Sequence, residues 1–416
     1  MSHAPSRNVQ IYSWATYDFA NTIFSMNVIS MYFPLWVTGD MGGKDIYYSL
    51  ALSASMVAAA LTMPLIGAVS DQRRVRVPFL AALTLFSAVF TALIGLKLGL
   101  LAGLVLFALA NYGYQAALTP YDTLLPEVSR GVDVGKVSGL GVGLGYLGSI
   151  GGLLMVKPFV EHGGRTAAFV PTAILFALFS LPAFFFIKEA ASKKSKRPVE
   201  IRRNVRKIFL TLRNTRRYPG LARFLTANLV YSDAVNTVIA FMAVYASKVI
   251  GFTDTEIMRF MITSTVFAAV GSFVAGRVTD RLGPRKALFI ALGLWSFTLA
   301  LTCLSFSRTM FWAVGPLAGI SLGSTWVSSR ALVARLTPPR KFGEVYGLYN
   351  LGGKFGFVIG PLVWGGVVLA FEPLGLLRYR IAIFSLLVFV VWSIWILKGV
   401  PDSAEKETAC RVRGNY

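Results

Sequence analysis

The sequence has very little of the chemistry on which most enzymes and metalloproteins depend. Its 416 residues include only two cysteines and two histidines. This shortage excludes a disulfide framework, a thiolate metal centre and a metal cluster of histidines. The motifs of zinc hydrolases (HExxH), thiol redox proteins (CxxC) and phosphate-binding loops (GxxxxGK[ST]) are also missing. We therefore predict a protein that is not an enzyme, binds no metal or cofactor, and has no nucleotide site to drive a pump.

Charged side chains are also scarce, at 14% of the residues, whereas hydrophobic residues make up 55% and the mean hydropathy is +0.62. The net charge is nevertheless +22. The basic residues lie between apolar runs and not along one face, so they indicate membrane topology and exclude a nucleic-acid partner. These features predict an all-α integral membrane protein that is surrounded by lipid.

A run of about 20 apolar residues is long enough to cross a bilayer as a helix. Twelve such runs occur, at 12–37, 46–69, 77–96, 99–124, 136–159, 167–187, 221–248, 257–278, 287–305, 311–334, 344–370 and 380–397. The gap after the sixth run predicts three parts: a six-helix bundle at 1–187, a basic linker at 188–220, and a second six-helix bundle with a short tail at 221–416. In the linker, apolar residues at helical spacing predict an amphipathic helix on the membrane surface, and a solvated tether is the alternative. They are Ile201, Val205, Ile208, Phe209 and Leu212.

Lysine and arginine are concentrated in alternate connections between the runs. The connections at 73–76 and 277–286 each hold several, whereas those at 38–45 and 306–310 hold one each. Because basic connections stay on the cytoplasmic side, both termini are predicted to be cytoplasmic. The predicted location is the inner membrane of a bacterium.

Two segments of the chain are close copies of one another. The first reads GKVSGLGVGLGYLGSIGG from Gly135, and the second reads GEVYGLYNLGGKFGFVIGP from Gly343. When Gly135 is placed on Gly343, four further glycines coincide without a gap. Two homologous halves in a membrane are typical of transporters whose site lies between the halves. The repeat therefore predicts pseudo-two-fold symmetry and a central passage.

A second repeated motif follows the second and eighth runs. It reads GAVSDQRRVR from Gly67 and GRVTDRLGPRK from Gly276. In each copy a carboxylate, Asp71 or Asp280, stands beside basic residues at a tight turn, where it can cap a helix or pair with an arginine. Arg281 follows Asp280 directly. We predict a gating or ion-pairing role for Asp71, Asp280 and Arg281.

These turns resemble G-x-x-x-D-[RK]-x-G-[RK]-[RK], the signature of the major facilitator superfamily, although Gln72 replaces the basic residue in the first copy. Three further segments are similar to the Atg22-like (UMF1) family: WATYDFANTIFSMNVISMYFPLW, PYDTLLPEVSRGVDVGKVSGLGVGLGYLGSIGG and SLGSTWVSSRALVARLTPPRKFGEVYGLYNLGGKFGFVIGP. The resemblance implies the twelve-helix major facilitator fold and transport by alternating access. The eukaryotic members export amino acids from the vacuole.

Polar residues within the runs are candidates for the site, because each is costly in hydrocarbon and must face a partner or a cavity. The motif D-x-x-N-T occurs twice, as Asp18, Asn21 and Thr22 in the first run and as Asp233, Asn236 and Thr237 in the seventh. Because residues three apart share a helix face, each copy groups a carboxylate with an amide. We predict a paired polar site, with a helix cap or structural hydrogen bond as the alternative for Asp18.

Two cations also lie within the runs. Lys354 is near the middle of the eleventh run, where it can balance Asp233 or bind a carboxylate. Arg330 occupies the position that corresponds to Asp122, since the two have the same spacing as the repeated glycines, and this predicts an ion pair or gate. The remaining deep polar candidates for the site are Asn111, Tyr114 and Asn350.

The sequence therefore predicts a monomeric secondary transporter for a small solute. An amino acid or similar zwitterion is favoured, with Lys354 for its carboxylate and Asp233 for its ammonium group, and protons are the candidate coupling ion. Three alternatives stay open: a proton-independent facilitator, a carrier of lipids or lysolipids, and a membrane receptor that transports nothing. A membrane enzyme is disfavoured by the missing catalytic motifs.

Overall fold

In the computed structural model, the described residues are 6–189 and 220–401, apart from Gly131, Asp133, Phe306 and 338–341. Only the backbone is described at 71, 342–344, 350, 351, 354 and 355. The predicted amphipathic helix of the linker and the C-terminal tail lie outside the described residues.

The described chain is helical, with no strand. Within it, ten helices are uninterrupted, apolar and long enough to cross a membrane. They are α2 (Asp45–Arg73), α3 (Arg76–Ile94), α4 (Leu100–Val128), α5 (Val134–Gly163), α6 (Phe169–Phe186), α7 (Leu221–Tyr245), α8 (Asp254–Leu282), α9 (Pro284–Leu304), α10 (Arg308–Leu336) and α12 (Leu377–Lys398).

The other two predicted spans, the first and the eleventh, are irregular. The first span, α1, begins as an α-helix at Arg7–Phe24 and continues through a π-helix at Ser25–Tyr32, a short α-helix at Phe33–Leu35 and a π-turn at Trp36–Asp40. The eleventh is divided into α11a (Phe342–Phe355) and α11b (Ile359–Ala370). With these two, the prediction of twelve spans is confirmed in the described part of the chain.

The helices pack as two sets of six with the same arrangement. In the first set α1 packs on α5 and α6, and α4 packs on α2 and α3. In the second set α7 packs on α11 and α12, and α10 packs on α8 and α9. The two sets meet where α2 packs on α11b and where α5 packs on α8. This internal symmetry agrees with the repeat in the sequence.

The outer surface of the bundle is apolar. Large hydrophobic side chains that face outward include Leu101, which is 77% exposed, and Phe185, which is 72% exposed. A water-soluble protein does not expose so many apolar side chains, so this surface is suited to lipid.

The bundle has two ends, which we name by the parts of the chain found there. The terminal end is the one at which α1 begins and α12 ends. The far end is the opposite one, where the connection between α1 and α2 lies.

Two glycines permit a very close contact between α8 and α10. A Cβ on Gly319 would lie against the carbonyl oxygen of Ser264, and one on Gly323 would lie against that of Ala268. Small residues four apart are a common device for close helix packing in membranes.

The same segment, GISLG, also has the spacing of a serine hydrolase motif. However, Ser321 is fully buried in the middle of α10 and donates to the carbonyl of Leu317, so it is not a nucleophile.

Gly319→Ala is expected to lower the free energy of unfolding by about 1–3 kcal/mol, because the backbones of α8 and α10 must move apart. Gly293→Ala is the matched control, since it is also in a helix but has nothing within 4 Å of the added Cβ. Thermal unfolding of the detergent-purified variants measures both. Equal melting temperatures for the two variants would show that this contact does not limit stability.

Candidate functional site

Contacts between helices establish how the two halves correspond. In the first half, Gly148 of α5 packs on Phe19, and Gly152 packs on Ile23. In the second half Gly356 of α11 packs on Leu229, and Gly360 packs on Thr237 and Asp233. Phe19 and Ile23 are one helical turn apart, as are Leu229 and Asp233, so the backbone contacts of the two glycine pairs match. The structural counterpart of Asp233 is therefore Ile23.

The two D-x-x-N-T motifs begin at Asp18 and Asp233, whereas the glycine contacts match Asp233 with Ile23. By these contacts the two motifs are therefore not at equivalent positions. The counterpart of Asp18 is Asn228, and Asp233 lies five residues, or about 7.5 Å, further along its helix. Asn228 accepts a hydrogen bond from Tyr231, whose hydroxyl also lies 2.7 Å from that of Ser329. The predicted paired site is replaced by two different polar groups at two depths.

Asp18 is half-buried on α1 and faces α4 and α5. Its Oδ2 lies against Gly141, where a Cβ would approach it to 2.7 Å. It lies beside the Tyr121 hydroxyl, and Arg330 of the other half is close enough to interact with it electrostatically. One turn further along, Thr22 donates a hydrogen bond of 2.6 Å to the carbonyl of Gly145. The glycines of α5 thus leave the space that Asp18 and Thr22 occupy.

Asp122 and Arg330, predicted as an ion pair or gate, are both exposed in the terminal half of the bundle. Each acts electrostatically on Asp18 of α1 and on Tyr346 of α11a. Asp122 belongs to the first half and Arg330 to the second. The two opposite charges are therefore both within electrostatic range of Asp18 and of Tyr346. We call these four residues the central group.

Asp233 is 2% exposed and lies at the break in α11. Its carboxylate lies beside the backbone of residues 358–360 at the start of α11b, where a Cβ on Gly360 would approach its Cγ to 3.1 Å. Within the described residues its Oδ1 has no hydrogen-bond partner. Asn236, three residues later, is half-buried.

Three predicted residues of the first half lie inside its own packing. Asn111 is fully buried and donates to Ser55 Oγ at 2.7 Å, which joins α4 to α2. Tyr114 stacks on Phe24 with ring centres 4.6 Å apart. Asn21 lies beside Tyr114, and among the described residues its Oδ1 accepts no hydrogen bond.

The other predicted residues lie elsewhere. Asp280 and Arg281 are exposed at the terminal end. The side chains of Asp71, Asn350 and Lys354 lie outside the described residues, so the pairing of Lys354 with Asp233 stays a prediction.

Sequence reasoning missed the ion pairs that close the far end. Arg165, before α6, donates two hydrogen bonds of 2.8 Å to Asp254 of the other half. It also donates to Asp40 at 2.7 Å and to the Leu35 carbonyl at 3.2 Å. Lys248 of the second half donates to the Thr38 carbonyl at 2.9 Å. Nothing in a single sequence pairs charges that lie so far apart along the chain.

Two further contacts join the halves at the same end. Asp45 of α2 is buried and accepts hydrogen bonds from Trp364 at 3.2 Å and Tyr379 at 3.1 Å. Lys44 pairs with Glu372 at 2.8 Å, and this hydrogen bond lowers the pKa of the Glu372 carboxyl. A lowered pKa means that this pair contributes above the ordinary pKa of glutamate and is lost as the pH falls through the lowered value.

One more polar residue was missed, in the middle of α1. Asn27 is fully buried in the π-helix, and within the described residues neither its Oδ1 nor its Nδ2 has a hydrogen-bond partner. Its position inside an apolar run was the available signal, as for Asn21. Buried amide groups without partners are rare, and π-helical turns are frequent at functional sites.

Comparisons with known proteins agree with this architecture. A family model described as vacuole effluxer Atg22 like matches residues 132–409, two thirds of the chain. The chain belongs to the Atg22-like family. The resemblance inferred from α1, α4, α5, α10 and α11 is thereby confirmed.

Relatives of this Atg22-like protein include a transporter and a drug-resistance protein. An uncharacterised MFS-type transporter of Bacillus subtilis (strain 168), YxiO, is 25% identical, with 95% of this chain and 96% of the relative covered. The multidrug resistance protein MdtG of Salmonella arizonae is 25% identical over 87% of this chain and 88% of its own.

Solved structures show the same fold. The nucleoside transporter NupG superposes with a TM-score of 0.72 at 16% identity, covering 94% of this chain and 97% of its own. A bacterial homologue of the human lysosomal transporter Spinster, in an inward-facing conformation, gives a TM-score of 0.70 at 16% identity, with 94% and 96% covered. The Atg22-like chain is therefore an integral membrane transporter of the major facilitator fold, and not an enzyme.

Proposed function

We propose that the protein moves a small solute across the membrane by alternating access, with the solute held by the central group of Asp18, Asp122, Arg330 and Tyr346. The observation that carries this proposal is the arrangement of charge. Opposite charges from both halves lie within electrostatic range of Asp18 and Tyr346 in the terminal half of the bundle, while hydrogen bonds and ion pairs between the halves close the far end. A site that is closed at one end is what alternating access requires.

The proposed orientation places both termini in the cytoplasm of a bacterium. The connections at the terminal end carry the clusters of basic residues, as at 73–76 and 277–286. In that orientation the far end is the outer side of the membrane. The structure then represents an inward-facing state, in which the central group is reached from the cytoplasm.

We favour an amino acid or a similar zwitterion as the solute. The central group combines the guanidinium of Arg330, which suits a carboxylate, with the carboxylates of Asp18 and Asp122, which suit an ammonium group. The use of Lys354 for the carboxylate and Asp233 for the ammonium group stays a second prediction, since the side chain of Lys354 lies outside the described residues. Asp18 is also the proposed site of proton coupling, since it is a half-buried carboxylate within a span.

Uptake by proteoliposomes tests this function. The probe is an equimolar mixture of radiolabelled L-amino acids, applied with and without a proton gradient. Uptake no greater than that of protein-free vesicles, for every component, would overturn the proposed solute class.

Arg330→Gln is expected to raise KM for the transported amino acid about 10- to 100-fold. The reason is the loss of a charge-assisted hydrogen bond to the carboxylate, which contributes about 1.5–3 kcal/mol. Arg259→Gln is the control, because Arg259 is an exposed arginine near the far end of α8. An unchanged KM in Arg330→Gln, with wild-type folding, would remove Arg330 from the site.

A further inference from the structure

A cavity of about 380 Å³ lies between the two halves at the far end. One wall is formed by residues 38, 39 and 42–46 of the first half, and the other by residues of α11b, of α12 and of the turn that follows α7. The central group lies in the terminal half of the bundle, so this cavity is a separate place. Its volume is at the lower end of the range for sites that hold small molecules.

The charged side chains that line this cavity favour an anion. Three of them are cations, Lys44, Lys248 and Arg378, and two are carboxylates, Asp45 and Glu372. Together they leave one positive charge. Like charges that line a cleft raise the local concentration of ions of the opposite sign.

Both carboxylates are already occupied by contacts within the protein. Asp45 accepts hydrogen bonds from Trp364 at 3.2 Å and from Tyr379 at 3.1 Å. Glu372 pairs with Lys44 at 2.8 Å. These contacts use the acceptors that a bound cation would need, and they leave two cations of the cavity without a carboxylate of their own.

Those two cations are Lys248 and Arg378. The Lys248 ammonium donates to the carbonyl of Thr38 at 2.9 Å, which uses one of its three N–H groups. The Arg378 guanidinium lies over the ring of Tyr379 at 5.2 Å, and among the described residues its buried Nε has no hydrogen-bond partner. It acts on Asp45 and Glu372 electrostatically, but in the described part of the chain it forms no ion pair with either. A buried N–H group without a partner is costly, and an anion would satisfy it.

Apolar side chains complete the lining. Val368 and Leu369 of α11b and Ile46 of α2 border the cavity beside the charged groups. A carboxylate has two oxygens that can accept charge-assisted hydrogen bonds from a lysine and an arginine. The hydrocarbon wall suits a ligand in which that carboxylate is attached to a short apolar chain.

We propose that the far-end cavity is a second binding site, which takes a small organic carboxylate. Lys248 and Arg378 hold the carboxylate, and Val368 contacts its hydrocarbon part. Because the walls come from both halves, the ligand stays bound only while the far end is closed. This inference goes beyond the proposed transport function and requires neither the central group nor an amino acid.

Thermal unfolding of the detergent-purified full chain tests the site, with sodium butyrate as the probe and the ionic strength held constant with sodium chloride. Butyrate has no ammonium group, which sets it apart from the proposed solute. It is expected to raise the melting temperature of the wild type, because a ligand of the folded state stabilises it. In Lys248→Gln and in Arg378→Gln, the butyrate concentration for half of the maximal rise should increase at least about tenfold, since each variant loses a charge-assisted hydrogen bond.

Lys97→Gln is the matched control, because Lys97 is an exposed lysine in the α3–α4 connection at the same end and does not line the cavity. It is expected to respond to butyrate as the wild type does. No rise in the wild type, or a wild-type response in either cavity variant, would overturn the proposal. If Arg378→Gln does not fold, Lys248→Gln decides the test, because Lys248 is at an exposed position.

Two further measurements fix the ligand class and the place. Sodium phosphate, an oxyanion without a hydrocarbon part, should act only at higher concentration than butyrate, and equal action would overturn the assignment to an organic carboxylate. Arg330→Gln should respond to butyrate as the wild type does, whereas a lost response would place the anion at the central group. Amino-acid uptake is measured separately, so failure of the proposed solute class is distinguished from failure of this site.

Discussion

Arg165→Gln is expected to open the far end of the transporter. The substitution removes the paired hydrogen bonds to Asp254 and weakens those to Asp40 and the Leu35 carbonyl. Because the three side chains are partly exposed, the closed state should lose about 2 kcal/mol relative to the open state, at the lower end of the range for charged pairs. That loss corresponds to an increase of about 30-fold in the open population.

A cysteine at Ser49 reports this opening, because Ser49 is fully buried between α2 and α11b. The background chain carries Cys303→Ser and Cys410→Ser, which removes both native thiols. A membrane-impermeant maleimide should label Ser49→Cys about 30-fold faster when Arg165→Gln is present. Lys157→Gln is the control, since it removes an ion pair that lies within α5 alone. Equal labelling in the Arg165 and Lys157 variants would show that Arg165 does not hold the far end closed.

Asp18→Asn is expected to abolish accumulation of the solute against its gradient while exchange of solute across the membrane continues. Asparagine has the size of aspartate and keeps a side-chain oxygen toward Gly141, but it cannot take up or release a proton. A carrier that needs this carboxylate for proton coupling therefore loses the proton gradient as a source of energy.

Two assays on the same proteoliposomes separate these effects. Net uptake driven by an acidic exterior should fall to the level of protein-free vesicles, whereas counterflow into preloaded vesicles should persist. Glu161→Gln is the control, since Glu161 is an exposed carboxylate near the far end of α5. If Asp18→Asn still accumulates the solute with the pH dependence of the wild type, proton coupling resides elsewhere.

Much of the fold was predictable, because it depends on patterns that a single chain records. Length and hydropathy of the runs predicted twelve spans, and the glycine repeat predicted the two symmetric halves. The irregular parts were not predictable in this way. No motif in the chain marks the π-helix of α1, and the break in α11 comes just before Pro361, which lacks the N–H that a continuous helix needs.

The sequence could predict which residues belong to the candidate site, but not which residues of the two halves occupy corresponding positions. Polar residues inside apolar runs singled out Asp18, Asp122, Arg330 and Asp233 as unusual. The repeated D-x-x-N-T motif nevertheless suggested an equivalence that helix contacts contradict by five residues. Glycines in close contacts show which turns of two helices lie against each other, whereas a short motif shows only residue types. Glycine contacts are therefore the safer guide to symmetry.

The π-helix at Ser25–Tyr32 places π-helical turns in the middle of α1, whereas α7 is followed by such turns only at its far end, at Ala246–Ile250. A π-turn holds one more residue than an α-turn, and every backbone group within it is still paired. The surplus residue can pass to a neighbouring turn without breaking the helix. A shift of this kind would rotate the side chains of that stretch together, Asn27 among them, with no backbone hydrogen bond left unmade in the bilayer.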